Sequence, residues 1–302
     1  MTIAITGGTG FVGRAVLDQA ATRGRAARAL ARREQDARDG VSWIKGDLSS
    51  HDALDRLMQG ATAVIHIAGV VNAPDAEGFF EGNAQGTRNV VAAAQRGGVR
   101  RFVHVSSLAA REPDLSLYGQ SKRQAEHFLE DSDLDWTIVR PPAVYGPRDT
   151  EIFELFKAAR WGLLPMPPAG RTSIIHVDDL ARLLLDLVDS PADSQPRVLE
   201  PDDGKDGGWS HKQLAHAIGA AMGKSVWAPH VPRGVLMGAA RLDRLLRGDR
   251  AKLTLDRASY MAHPDWTSSP DRAVPARLWS PQIGTKDGLA ETARWYKVNN
   301  WL

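Results

Sequence analysis

The stretch Tyr118-Gly-Gln-Ser-Lys122 sets a phenol and an ammonium four residues apart, on one face of a helix if the segment is helical. A phenol titrating near pH 10 is a poor proton donor or acceptor at neutral pH. A lysine cation beside it favours the phenolate and lowers that value, so the spacing suits proton transfer. About a dozen residues upstream, Ser106-Ser107 closes a β-branched run at what would be the carboxyl edge of a sheet, where α/β proteins build their sites.

A second constellation opens the chain. In TGGTGFVG, residues 6–13, Gly7, Gly10 and Gly13 form G-x-x-G-x-x-G between a strand-like run and a helical one, enclosing Thr9, Phe11 and Val12. One glycine allows the tight turn, a second lets the backbone approach a pyrophosphate, and a third lets helix and strand pack closely. The anion then meets the free N–H groups of the helix N-terminus. The spacing and its strand–turn–helix context predict dinucleotide binding. After the second strand the chain reads Arg32-Arg33-Glu34. Arginine suits a ribose 2′-phosphate and an acidic residue a 2′-hydroxyl, so Arg32, with Arg33 behind it, favours NADP(H). Glu34 leaves NAD(H) open. Asp47-Leu48 after the third strand suits an adenine amino group, and Ala68-Gly69 after the fourth lets the dinucleotide cross the sheet edge.

These residues need a frame to hold them. Candidate strands at 2–6, 26–31, 41–45, 63–67, 101–106 and 136–140 alternate with candidate helices at 11–23, 53–58, 83–96 and 118–131. The alternation predicts an α/β fold, a Rossmann-type doubly wound parallel sheet, with a smaller, mostly helical C-terminal part that binds substrate. The expected division is 1–190 for the dinucleotide-binding domain, with 141–170 contributing to the substrate side, and 191–302 for the smaller region. A strand at 172–177, then helices at 178–188, 211–222, 235–246 and 287–297, complete the reading. Six of the nine tryptophans lie beyond residue 208, a weak pointer to an apolar substrate.

Composition narrows the classes. The 302 residues are 43% hydrophobic and 25% charged with a net charge of +2, an ordinary globular balance that gives no reason to invoke nucleic acid. With no cysteine, disulfides, thiolate metal sites and cysteine nucleophiles are excluded. The nine histidines show no metal-ligand spacing, so no metal is expected. No G-x-S-x-G stands at the serine pair, which disfavours a hydrolase triad. Without a signal-like N-terminus or an apolar run long enough to span a bilayer, a cytoplasmic protein is expected.

The motifs TGGTGFVG, Ala68-Gly69, VSSLAAREPDLSLYGQSK, VRPPAVYGP and IIHVDDLA occur in the order that resembles the short-chain dehydrogenase/reductase superfamily, in its extended or atypical, epimerase/dehydratase-like branch. That resemblance implies Tyr118 as general acid/base, with Lys122 holding the nicotinamide ribose and Ser107 the substrate oxygen. Ser106 is the neighbour of Ser107, and Pro141 and Pro142 meet the carboxamide. Tyr145-Gly146 begins the substrate side. Asn83 is either part of a proton relay or a helix N-cap, and His176 and the aspartates after it are structural. The implied activity is NADP(H)-dependent hydride transfer between the nicotinamide and a carbonyl or alcohol carbon of a small-to-medium apolar molecule. The same parts would serve a nucleotide-sugar epimerase or dehydratase, or a non-catalytic NAD(P)H sensor or complex I-like accessory protein. The branch often forms homodimers. Finally, Arg233–Leu246 reads as a basic amphipathic helix, with Val235, Leu236, Ala239, Leu242 and Leu246 on one side, which more often packs on its own domain than touches lipid.

Overall fold

The β-branched runs of the first 140 residues fold as strands because each is apolar along nearly its whole length, as strands covered on both faces must be. A computed structural model describes residues 2–189, 197–248, 251 and 253–302. The first part runs β1 (Thr2–Thr6), α1 (Phe11–Thr22), β2 (Ala26–Ala31), β3 (Val41–Lys45), α2 (His51–Met58) and β4 (Ala61–His66). It continues with α3 (Ala76–Phe79), a π-helical turn (Phe80–Gln85), α4 (Gly86–Arg96), β5 (Arg101–Val105), α5 (Leu117–Glu130) and β6 (Asp135–Val139). Then follow β7 (Ala143–Tyr145), α6 (Phe153–Ala159), β8 (Arg171–Thr172), β9 (Ile174–His176), α7 (Val177–Asp189) and β10 (Arg197–Leu199). The last elements are β11 (Trp209–Ser210), α8 (His211–Ala221), α9 (Arg233–Arg247), α10 (Leu255–Met261), β12 (Asp265–Trp266) and α11 (Thr285–Val298).

The chain forms two compact units, each discontinuous in sequence. The first comprises Met1–Arg140, Leu180–Glu200 and Val274–Ser280. Its seven-stranded sheet has the order β10-β6-β5-β4-β1-β2-β3, parallel throughout. That is the Rossmann arrangement, and the strand order reverses between β1 and β4, where a ligand crevice opens at the carboxyl edge. Beneath one face lie Leu54, Leu57, Met58, Val64, Val90 and Phe102, all fully buried. Arg101, also buried, donates to the Leu187 carbonyl and the Thr137 hydroxyl, tying α7 to the sheet.

The second unit comprises Pro141–Asp179, Pro201–Ala273 and Pro281–Leu302. It holds the three-stranded sheet β11-β8-β12, the pair β7-β9, and a core in which Phe156, Ile174, Ile218, Leu289 and Tyr296 meet. The strand expected at 172–177 is two strands in different sheets. Ser173 separates them, its hydroxyl donating to Asp202 and its N–H to the Trp266 carbonyl. The cut expected at 190/191 lies outside the described residues.

Candidate active site

All the site residues before Pro141, as read from the sequence, lie in the first unit, on the segments that follow its strands and on the helices that begin there. Gly7 has φ +75°, and a Cβ there would come within 2.6 Å of the Ala68 backbone nitrogen. A Cβ at Gly13 would stand 2.0 Å from the Gly7 carbonyl oxygen, so only glycine lets α1 start this close to β1. Gly10 precedes α1 without a side-chain cap, which leaves the first N–H groups of the helix open to an anion. Thr9 and Gly10 are exposed, and Phe11 and Val12 are half-buried. The loop thus has the shape and the donors that a pyrophosphate requires.

Arg32 and Arg33 emerge exposed from β2, the strand beside β1. Glu34 lies 3.4 Å from Lys45 in an exposed pair worth little. Asp47 is exposed, and its Oδ1 accepts hydrogen bonds from Ser49 N and from the Ser49 and Ser50 hydroxyls, which lower its pKa. Asp47 therefore builds the turn after β3 whatever else it touches. Leu48 packs partly against the core, with Asn89 donating to its carbonyl.

Tyr118 and Lys122 stand one turn apart on one helix, as their spacing predicts. Ser116 caps α5 through Gly119 N, placing Tyr118 and Lys122 in the first two turns. The half-buried Tyr118 lies within reach of the Ser107 side chain. Burial raises its pKa while Ser107 pulls the other way. Lys122 is not among the causes, so the lowering expected from it is not seen. Lys122 is buried, and its Nζ donates to the Val105 carbonyl at 2.8 Å. Burial brings its pKa down to about 8 against the pull of Glu126. Ser106 Oγ is buried with no hydrogen-bond partner among the described residues, so it is available to a bound molecule. A Cβ at Gly69 would lie 3.7 Å from Lys122 Nζ, so the loop after β4 and the start of α5 border one space.

Of the two roles the sequence left open for Asn83, a helix cap is excluded by its place in the structure. Asn83 sits inside the π-helical turn and caps nothing. Its Oδ1 accepts from Val70 N, and its Nδ2 donates to Val70 O and to Ser121 Oγ, all within 2.9 Å. It pins the loop after β4 to α5. Ser121 was missed, although it lies within YGQSK. Pro141 and Pro142 are buried where the second unit begins. Tyr145 is fully buried in that unit's core, its ring edge-on to His176, so its side chain belongs to packing. His176 is buried as well, accepting from Asp178 N, and Asp179 accepts from Gln282 N and Ile283 N.

Beneath the loops runs a buried relay that no spacing announced. Thr87 donates to the Asn83 carbonyl and so accepts from His66 Nε2–H. His66 Nδ1 in turn accepts from Thr6, whose oxygen takes the Ala68 N–H. The relay works only with neutral His66. Burial, helped by the Lys122 charge, brings its pKa down to about 3, and the same causes hold His104, stacked on it at 5.1 Å, well below the usual range. The unfolded chain would take up these protons near pH 6.5, so stability is complete above that value and is lost as pH falls toward about 3. By pH 5 His66 should cost about 2 kcal/mol, and His104 acts in the same direction. Urea unfolding at pH 7 and pH 5 checks this, and His104→Leu should flatten the dependence. An equal acid sensitivity in that variant would exonerate His104.

Among known proteins, a ceramide reductase of Caulobacter vibrioides is 38% identical over 99% of this chain and 96% of its own. A 4-hydroxy-2-methyl-3-oxo-4-farnesyl-3,4-dihydroquinoline-1-oxide ketoreductase of Stigmatella aurantiaca is 32% identical over 60% of this chain and 62% of its own. A family profile described as NAD(P)H-binding matches residues 7–191. The chain belongs to the NAD(P)H-binding family. Its fold is shared with MoeE5, solved with UDP-glucose and NAD, at a TM-score of 0.75, 21% identity and 99% coverage of both chains. With relatives named as reductases and an epimerase, the protein is an NAD(P)-dependent enzyme of that kind. The glycine cradle and the orphaned Ser106 hydroxyl fit such a cofactor.

Proposed function

We propose that the protein is an NADPH-dependent reductase acting on a carbonyl group of an apolar, ceramide-like lipid. The observation that carries the reading is the Tyr118 phenol within reach of the Ser107 side chain, one helical turn from buried Lys122. A bound nicotinamide supplies a hydride to the carbonyl carbon. Tyr118, kept protonated by burial, delivers its hydroxyl proton to the oxygen, and the product is an alcohol. The Ser107 hydroxyl holds that oxygen in line with the phenol. Lys122, still mostly charged at neutral pH, offers donors to the ribose. Asn83 holds Val70 and Ser121 in register on either side of this space.

The lipid class is supported by the ceramide reductase, similar to this chain over nearly its whole length. The choice of NADPH is supported by Arg32, exposed at the end of β2. With a ketone-bearing ceramide analogue, NADPH absorbance should fall in proportion to alcohol formed. Conversion of a nucleotide sugar without net NADPH loss would replace this reading with epimerisation. Arg32→Ala should weaken NADPH binding roughly tenfold or more and leave NADH within about twofold, as loss of a charge-assisted contact implies. Tighter NADH than NADPH binding in the unaltered protein would overturn the cofactor preference.

A further inference from the structure

The helix α9 has two apolar faces, and only one of them is used. Leu236 and Ala240 are buried, and with half-buried Met237 they pack against Ala258 and Met261 of α10. Leu236 thus belongs to the packed side rather than to the stripe read from the sequence. Val235, Leu242, Leu245 and Leu246 are 60%, 55%, 82% and 74% exposed. With Ala239 they follow helical spacing along a second line. Single exposed leucines are commonplace on protein surfaces, whereas a continuous stripe of them marks an interaction surface.

The charges identify what covers it. Arg233, Arg241, Arg244 and Arg247 are all exposed. The helix has one carboxylate, Asp243, which is occupied by Arg247 and by Leu253 N. Among the described residues, the solvent side of α9 therefore offers leucines together with Arg233, Arg241 and Arg244, none of them paired with the helix's own carboxylate. Pairing with a second copy would set two arginine groups against each other. A bilayer rich in anionic lipid meets both demands, with leucines entering the acyl boundary and guanidinium groups reaching the phosphates. No helix among the described residues is long and apolar enough to cross a membrane, so contact of this kind is peripheral.

We propose that α9 docks the protein on the surface of anionic membranes. The proposal rests on the reading of the substrate as an amphipathic lipid, which would be reached where it is dissolved. Trp227, exposed a few residues before α9, is bridged to Leu163 next to exposed Trp161, and these are further side chains of the interfacial kind.

The test is sedimentation of the full chain with phosphatidylcholine vesicles, with and without phosphatidylglycerol, in the absence of cofactor and substrate. Partitioning should require phosphatidylglycerol and decline with salt. Leu245→Glu with Leu246→Glu should reduce it by roughly tenfold or more, with circular dichroism and thermal midpoint unchanged. Arg241→Gln with Arg244→Gln should remove much of the salt-sensitive part. Absence of partitioning, or partitioning indifferent to the leucine pair, overturns the proposal. So does a stable dimer that the leucine substitutions dissolve while vesicles go unbound. Turnover of a short-chain, water-soluble ketone without vesicles should be unaffected by the leucine substitutions. Failure of that turnover in the unaltered protein would count against the reductase reading and leave the vesicle result standing.

Discussion

Tyr118→Phe is expected to lower kcat by about 10²–10⁴-fold while leaving NADPH affinity within about twofold. The substitution removes one hydroxyl and little else. The ring keeps its place against Phe79, whose centroid lies 6.3 Å away, and α5 keeps its Ser116 cap. Lys122 remains anchored to the Val105 carbonyl. What disappears is the proton that, in the proposed reaction, reaches the substrate oxygen, together with the hydroxyl near Ser107. Because Tyr118 and Ser107 serve one oxygen, adding Ser107→Ala should cost little more than Tyr118→Phe alone. Fluorescence titration with NADPH and single-turnover absorbance separate binding from chemistry. Full turnover in the phenylalanine variant would remove Tyr118 from the mechanism.

The parts of this site legible in the sequence are those whose chemistry is written in local spacing. Gly7 and Gly13 stand between an apolar strand and a helix, where bulk at either would strike the backbone. Tyr118 and Lys122 are one turn apart, so helix geometry alone unites them. Illegible were the groups joined only by sheet topology. His66 and His104 come from β4 and β5, and their stacking follows from a parallel register that pairs them directly. Asn83 looked like a cap or a relay because the irregular turn that buries it has no clear signal. In α9 the amphipathic pattern was plain, yet periodicity could not say which apolar face the neighbouring α10 would cover. The second unit was harder still, because its pieces return to one another across long stretches of chain.

The spacing that unites Tyr118 and Lys122 continues to Glu126, another four residues along α5, and its loss should be felt in stability and in Lys122 together. Glu126 is fully buried, and Arg140 grips it through two hydrogen bonds, Nε to Oε1 at 2.8 Å and Nη2 to Oε2 at 2.6 Å. Arg123 adds a third at 3.0 Å. Glu126→Ala leaves the buried Arg140 with Glu200, whose nearest oxygen is 3.7 Å away. Removing one partner of such a pair costs about 3–5 kcal/mol, and the residual Glu200 contact favours the lower end of that range. The urea midpoint should fall accordingly with an unchanged slope. Glu126 also holds Lys122 up against burial, so without it the ammonium would titrate below its present value of about 8. If the charge on Lys122 supports cofactor binding, NADPH affinity in the variant should begin to decline at a lower pH than in the unaltered protein. Glu126→Gln keeps the shape and some of the hydrogen bonding, so it should recover part of the stability but little of the pH shift. Equal pH profiles in all three proteins would separate Glu126 from Lys122 and leave it as a packing device for the end of β6.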